Sequence, residues 1–307
     1  MRKLFLSIAC LFLSQTIFAQ EWHSINTKSE ESYSTKLIKS TNESVVIDLS
    51  LNGFYTNHTS LPNSVIITNE DMAPLSEAGQ PNIPSLSIPI IINDMGKMDV
   101  RVSKVEYLEY NDIEIAPSKG EFPRSINPDD VPYTYGDVYQ QNEFFPATNV
   151  KLDSPYILRD FRAQNIIVTP FAYNPVTKTL RVMHKMTIEV VSTKEEGENE
   201  LARRSNTINM DSEFEKMYSN RFINYKESGA KYDIIEEEGD LLIICHDAFM
   251  SAMQPFVEWK RATGRNTTMV GTSVAGTSAD NIKNYITSQY EDNPNLVHVL
   301  LVGDYQQ

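Results

Sequence analysis

Thiol, imidazole and carboxylate side chains supply most nucleophiles, bases and metal ligands, and this chain offers few of them at useful spacing. Cys245 and His246 are adjacent. A thiol and an imidazole make a nucleophile–base pair only when the side chains converge, and neighbours on a strand point to opposite faces. Cys245 also closes the apolar run Leu241–Cys245, where a free thiol behaves as a small hydrophobe. Cys245 therefore reads as core, and His246-Asp247 as a polar exit from a strand into a helix. His298 flanks another apolar strand and reads as structural. His23, His58 and His184 are scattered, without H-x-x-H or H-E-x-x-H spacing. Gly264, Gly271 and Gly276 do not form a G-x-G-x-x-G phosphate loop. Asp304 follows a strand at the end where open parallel sheets place ligands, but a turn or cap is the simpler role. No catalytic and no metal-ligating residue is assigned on this chain.

The basic residues are more informative. Arg203, Arg204, Arg221 and Lys231 lie in or near a polar stretch. A basic residue in an exposed linker is a candidate processing site, because proteases need extended, locally unfolded chain. Plain linker charge is the alternative.

Two kinds of element flank that stretch. From about Val45 to Val191, β-branched and apolar runs recur at Ser44–Leu51, Ser64–Thr68, Ser87–Ile92, Met98–Tyr107, Ile113–Ala116, Asn165–Pro170 and Leu180–Val191. Most are bounded by Pro, Gly, Asn or Asp. In Met98–Tyr107 the alternation of Met98, Val100 and Val102 slips by one to Val105 and Tyr107, which predicts a bulge. Many short strands joined by turns predict an all-β sandwich. Ser192–Glu200 and the residues after it, with Glu236-Glu237-Glu238, read as a solvated connector with one short helix at Ser212–Met217. After Asp240 the period changes. A strand at Leu241–Cys245, a helix at Ala248–Ala262, a strand at Asn266–Val270, a helix from Thr277 or Ser278 to about Tyr290, and a strand at Val297–Val302 alternate as in a parallel α/β sheet. Pro255 should bend the first helix or set its start. Three parallel strands leave an edge unpaired, so these residues read as the opening of a larger domain.

The chain's 307 residues allow roughly two domains. Arg2 and Lys3, the apolar run Leu4–Phe18 and the small Ala19 read as an export signal cut after Ala19. Ser7-Ile8-Ala9 before Cys10 also fits a lipoprotein site, although the apolar run continues past it. Without that leader Cys245 is alone, so no internal disulfide staples the chain. A net charge of −14 without a basic cluster argues against nucleic-acid binding, and no later run is long and apolar enough to span a membrane.

Longer stretches carry a resemblance. Ser76–Pro81, Ile115–Gly120, Arg124, Asn127-Pro128-Asp129, Tyr135-Gly136, Phe144-Phe145-Pro146, Pro155–Asp160 and Tyr173–Arg181 resemble the pro-domain of the gingipain family of secreted cysteine peptidases. Phe256–Lys260 and Val299–Asp304 resemble the start of that family's catalytic domain. The resemblance covers nearly all the chain after the leader. It implies a zymogen: leader at 1–19, inhibitory β-sandwich pro-domain at 20–195, linker with processing sites at 196–231, and the opening of a caspase-like catalytic domain at 232–307. It also implies a Cys/His dyad beyond Gln307, cleavage after basic residues, export to the extracellular space or outer surface of a bacterium, and calcium in the full-length catalytic domain. This chain itself requires no cofactor. Arg124 matches the family residue that fills the substrate pocket, so the partner is the chain's own catalytic domain, and protein substrates follow. Arg124 is at the same time a candidate cleavage site. Ala230-Lys231-Tyr232 departs from the family, which matures at an arginine before Tyr. A stand-alone inhibitor or chaperone, and a processing peptidase of a secretion machinery, are the alternatives. Arg159 and Arg181 are expected to matter little for inhibition.

Overall fold

The computed structural model describes residues 20–304, apart from 28, 30, 204–206, 230–232 and 237. The proposed leader with Cys10, and the candidate processing residues Arg204 and Lys231, lie outside the described residues. The first fourteen strands are β1 (Gln20–Ser24), β2 (Tyr33–Ser40), β3 (Ser44–Leu51), β4 (Gly53–His58), β5 (Ser64–Thr68), β6 (Ala73–Pro74), β7 (Pro84–Ile91), β8 (Met98–Tyr110), β9 (Glu114–Ile115), β10 (Val150–Leu152), β11 (Tyr156–Leu158), β12 (Phe161–Val168), β13 (Phe171–Asn174) and β14 (Thr179–Ser192).

They form three sheets. One runs β1-β4-β5-β9, one β10-β12-β7-β6 with β11 also on β12, and one β13-β14-β3-β2 with β8 on the far edge of β14. Alternation drives their assembly: Val45, Ile47, Leu49 and Leu51 of β3 and Met186, Ile188 and Val190 of β14 all point into one core, with Phe54, Ile67, Ile88 and Ile166 from the other sheets. The phase slip in β8 is a true bulge. Lys104 pairs with Thr187 but Val102 with Ile188, so Ser103 is the extra residue.

The stretch expected to be a solvated connector is partly core. Strand β15 (Thr207–Met210) leads into helices α1 (Ser212–Arg221) and α2 (Tyr225–Gly229). Ile208, Met210, Tyr218, Phe222 and Tyr225 pack on Ile91, Phe161 and Ala163, the face of the β7/β12 sheet that the first core leaves bare. Asn224, fully buried, donates to Ile91 O and accepts Ile91 N, both at 2.8 Å, so an amide side chain covers the β7 edge.

Even the polar segment before β15 is fixed. The buried Arg162 guanidinium donates to Asn93 O and Gly96 O at 2.8 Å and to Glu198 O at 2.7 Å. Hydrogen bonds from charged donors are the strong class.

The last part begins with β16 (Asp233–Glu236), parallel to β15. Strand β17 (Asp240–Cys245), helix α3 (Met250–Ala262), β18 (Thr267–Gly271), helices α4 (Thr272–Ala275) and α5 (Ala279–Asp292), and β19 (Leu296–Val302) follow. The sheet order is β18-β17-β19, all parallel. Leu241, Ile243 and Cys245 pack on the α3 side, and Leu242 and Ile244 on the α5 side. A strand covered on both faces must be apolar throughout, which is why β17 shows no alternation. Pro255 lies inside α3 rather than at its start, and the Ser278 side chain caps α5.

Replacing Arg162 by methionine strands three carbonyls and should cost about 3 kcal/mol or more. Thermal unfolding should then begin roughly 6–12 °C lower. An unchanged midpoint would show that the 93–96 and 198 carbonyls do not depend on it.

Candidate inhibitory loop

Between Ile115 and Phe145 the chain leaves the sandwich, and both ends of the excursion are fixed by one residue. The Tyr173 side chain, 1 % exposed, donates through its hydroxyl to Ile113 O (3.0 Å) and accepts Ile115 N (3.3 Å). Its backbone exchanges two hydrogen bonds with Phe145, at 2.8 and 2.9 Å. Burial raises the Tyr173 hydroxyl above the usual tyrosine range, so it stays a neutral donor. Tyr139 adds a bond from its own hydroxyl to Ile115 O at 2.8 Å.

Three stretches that carry the resemblance meet at the loop's base. Gly79 N donates to Ser118 O, and Gly136 N to Gly79 O, both at 3.0 Å. Gly79 has φ +83°, and a Cβ on it would sit 3.1 Å from Gly136 N, so the close approach and the left-handed backbone both call for glycine.

The apex is braced from within and open to solvent. Pro123–Ile126 is a turn closed by Ile126 N to Pro123 O at 2.9 Å, with Arg124 at its second position. Asn127 caps the 3-10 turn Pro128–Asp130 by accepting Asp129 N. Lys119 Nζ donates to Pro128 O at 2.8 Å and stands 4.4 Å over the Tyr133 ring. All residues from Pro123 to Asp130 are exposed. Among the described residues none hydrogen-bonds or ion-pairs with the Arg124 guanidinium, which leaves its five donors to face outward.

The other candidate residues are elsewhere. Arg203 is held by Asp94 (2.5 and 3.1 Å) and by Asp160 O, with its side chain 14 % exposed. A protease takes its substrate in extended form, so cleavage after Arg203 would first have to open that ion pair. Arg221 is exposed but sits on the last turn of α1, beside the Tyr156 ring. Cys245 is fully buried, and burial raises its thiol above the usual range, the inert state of a core cysteine. His246 Nδ1 accepts Ala248 N, a helix cap. Asp247 is engaged by Ser273 N and Oγ, and Asp304 is exposed after β19. Asp211, Glu213 and His298 bring their ligand atoms within 4.8 Å of one another. The Arg265 guanidinium, 3.5 Å from the Asp211 carboxylate, already supplies positive charge there. Arg159, expected to matter little for inhibition, donates to Leu296 O and Pro294 O across the chain. Arg181 is a surface pair with Glu109 at 2.8 Å.

Comparison with known proteins gives this architecture its class. The Propeptide_C25 profile matches residues 28–231, and the profile of Peptidase family C25 matches 234–307. A pro-domain with a projecting arginine loop is therefore followed directly by the opening of a peptidase domain. The chain belongs to peptidase family C25. Gingipain R1 of Porphyromonas gingivalis is 33% identical over 312 residues, covering 98% of this chain and 30% of that protein. Gingipain R2 of the same organism is 36% identical over 237 residues, covering 76% and 32%. The chain thus spans about a third of the length of these relatives. Among solved structures, the complex of Porphyromonas gingivalis RgpB pro- and mature domains matches with TM-score 0.57 and 33% identity, covering 63% of this chain and 97% of that one. No helix among the described residues is long and apolar enough to cross a membrane.

Tyr173→Phe removes the hydroxyl shared by Ile113 and Ile115 and should cost about 1–3 kcal/mol, since both backbone groups are left short of a partner. Urea unfolding with an unchanged slope should show this; a midpoint equal to wild type would mean the loop base is held without that hydroxyl.

Proposed function

We propose that this chain is the front of a secreted cysteine endopeptidase precursor that cleaves after basic residues, chiefly Arg-Xaa bonds, and that Arg124 inhibits it by occupying the substrate pocket. The supporting observation is an exposed arginine at the apex of a loop whose two ends are both bound to Tyr173. A guanidinium presents a planar donor fork that matches a pocket carboxylate, and a pre-ordered loop loses little entropy on binding. The partner is the chain's own catalytic domain, and its substrates are proteins. We place the leader at residues 1–19 and extend the inhibitory domain beyond 195 through 229, because residues 207–229 share its second core. The nucleophile and base belong to strands after Gln307, and calcium belongs to the full-length catalytic domain. Export to the cell exterior rests on the basic and apolar leader. Lys231 stands where the family's maturation arginine is expected, so this bond calls for a lysine-tolerant protease. Residues 234–307 match a peptidase, which weighs against a stand-alone inhibitor.

Two outcomes follow. The chain as it stands hydrolyses no arginyl or lysyl amide, and turnover that vanishes in Cys245→Ala would overturn this. Against the mature peptidase, Arg124→Ala in the propeptide raises the inhibition constant at least about tenfold, a floor under the roughly 2–5 kcal/mol typical of truncating a desolvated charge pair. Arg124→Lys is intermediate because it keeps the charge and loses the fork. Arg181→Ala changes nothing. Equal constants for wild type and a folded Arg124→Ala would place the inhibitory contact elsewhere.

A further inference from the structure

Among the described residues, the propeptide meets the parallel sheet at one end through polar side chains. Asp211, 1 % exposed, is on the pro-domain side of that contact. One carboxylate oxygen caps α1 by accepting Glu213 N at 2.9 Å, and the other accepts Gly239 N at 3.0 Å from the peptidase side. Gly239 cannot carry a side chain here: a Cβ would lie 1.9 Å from Val297 Cγ2 and 3.2 Å from the Asp211 carboxylate. Arg265, on the peptidase side, faces the same oxygen at 3.5 Å and donates to Gly239 O at 3.2 Å. Burial alone would raise the Asp211 carboxyl, but the two backbone donors, Arg265 and His298 together carry it below the usual carboxylate range.

A second strut lies beside the first. Arg159 of the pro-domain, at φ +46°, donates to Leu296 O (3.1 Å) and Pro294 O (3.3 Å) while its guanidinium stacks 4.8 Å from the Phe214 ring. Glu213 reaches His298 Nε2 at 2.9 Å. The backbones of β15 and β16 also pair across the boundary, Thr207 with Asp233 through Met210 with Glu236.

The location gives these contacts a meaning. Gly239 precedes β17, Arg265 precedes β18, and Pro294 and Leu296 open β19, so the peptidase-side partners of Asp211 and Arg159 are at the amino-terminal ends of their strands. Open parallel sheets place their reactive groups at the carboxyl ends. The seam therefore grips the peptidase domain at the end away from its chemistry.

We propose that the propeptide holds the peptidase domain through this second contact, centred on Asp211 and Arg159, which retains the two parts after the segment between them is cut and is separate from the Arg124 loop. Retention and inhibition are then carried by different residues. The proposal does not depend on Arg124 entering a pocket, only on the division into propeptide and peptidase domain.

The test uses the whole chain with the recognition sequence of a site-specific protease in place of Ala230–Tyr232. After cutting, wild type and Arg124→Ala should elute from a sizing column as one species, and their dissociation on dilution should match. Arg159→Ala, Arg265→Ala and Asp211→Asn should each raise the dissociation constant of the cut pieces at least about tenfold. Since Asp211 also caps α1, the two arginine variants decide the matter if Asp211→Asn does not fold by circular dichroism. Pieces of wild type that separate on cutting, folded arginine variants that dissociate like wild type, or release caused by Arg124→Ala would each overturn the proposal.

Discussion

The excursion that carries Arg124 depends on Tyr173. A loop of this length would ordinarily sample many conformations, at a cost of about 1–2 kcal/mol per residue to order. Here its entry and exit are bound to the side chain and backbone of a single buried residue, so the ends cannot move apart without opening the core. Lys119, Asn127 and the Gly79–Gly136 contact then remove freedom from within. What remains mobile is the arginine side chain, the part that a pocket would select.

Such a design separates two demands. A propeptide must hold its peptidase long enough to keep it silent, and it must occupy the site that cuts. In the proposed division, attachment rests on the polar pairs at Asp211 and Arg159, whereas occupation needs an exposed and adaptable fork. The parallel sheet makes the separation natural, since its amino-terminal ends are free of chemistry. The polar character of the seam also suits an association that must end, because such interfaces exchange protein partners for water more readily than apolar ones.

Much of the fold was legible where burial is one-sided or complete. The β3 alternation, the β8 slip, the unbroken apolar β17 and the Ser278 cap all follow from local pattern. Strands β1 and β2 escaped because they lie largely exposed and their polar residues give weak alternation. Residues 207–229 were misread because charge dominated their composition; the stripe Phe214, Tyr218, Phe222 and Tyr225, at spacings of four, four and three, was the signal that could have revealed a buried helical face. The roles of Arg159 and Arg203 were not legible at all, since their partners lie up to 137 and 109 residues away and nothing local marks them. Arg124 itself was found through resemblance, and its exposure and braced turn are what the coordinates add.

A crystal structure of the propeptide bound to the mature peptidase would decide whether the loop is a pocket ligand. Two guanidinium nitrogens of Arg124 should lie within hydrogen-bond distance of one carboxylate in the substrate pocket, with the loop backbone between Lys119 and Tyr133 unchanged. A pocket left empty, or filled by another side chain while Arg124 faces solvent, would contradict it.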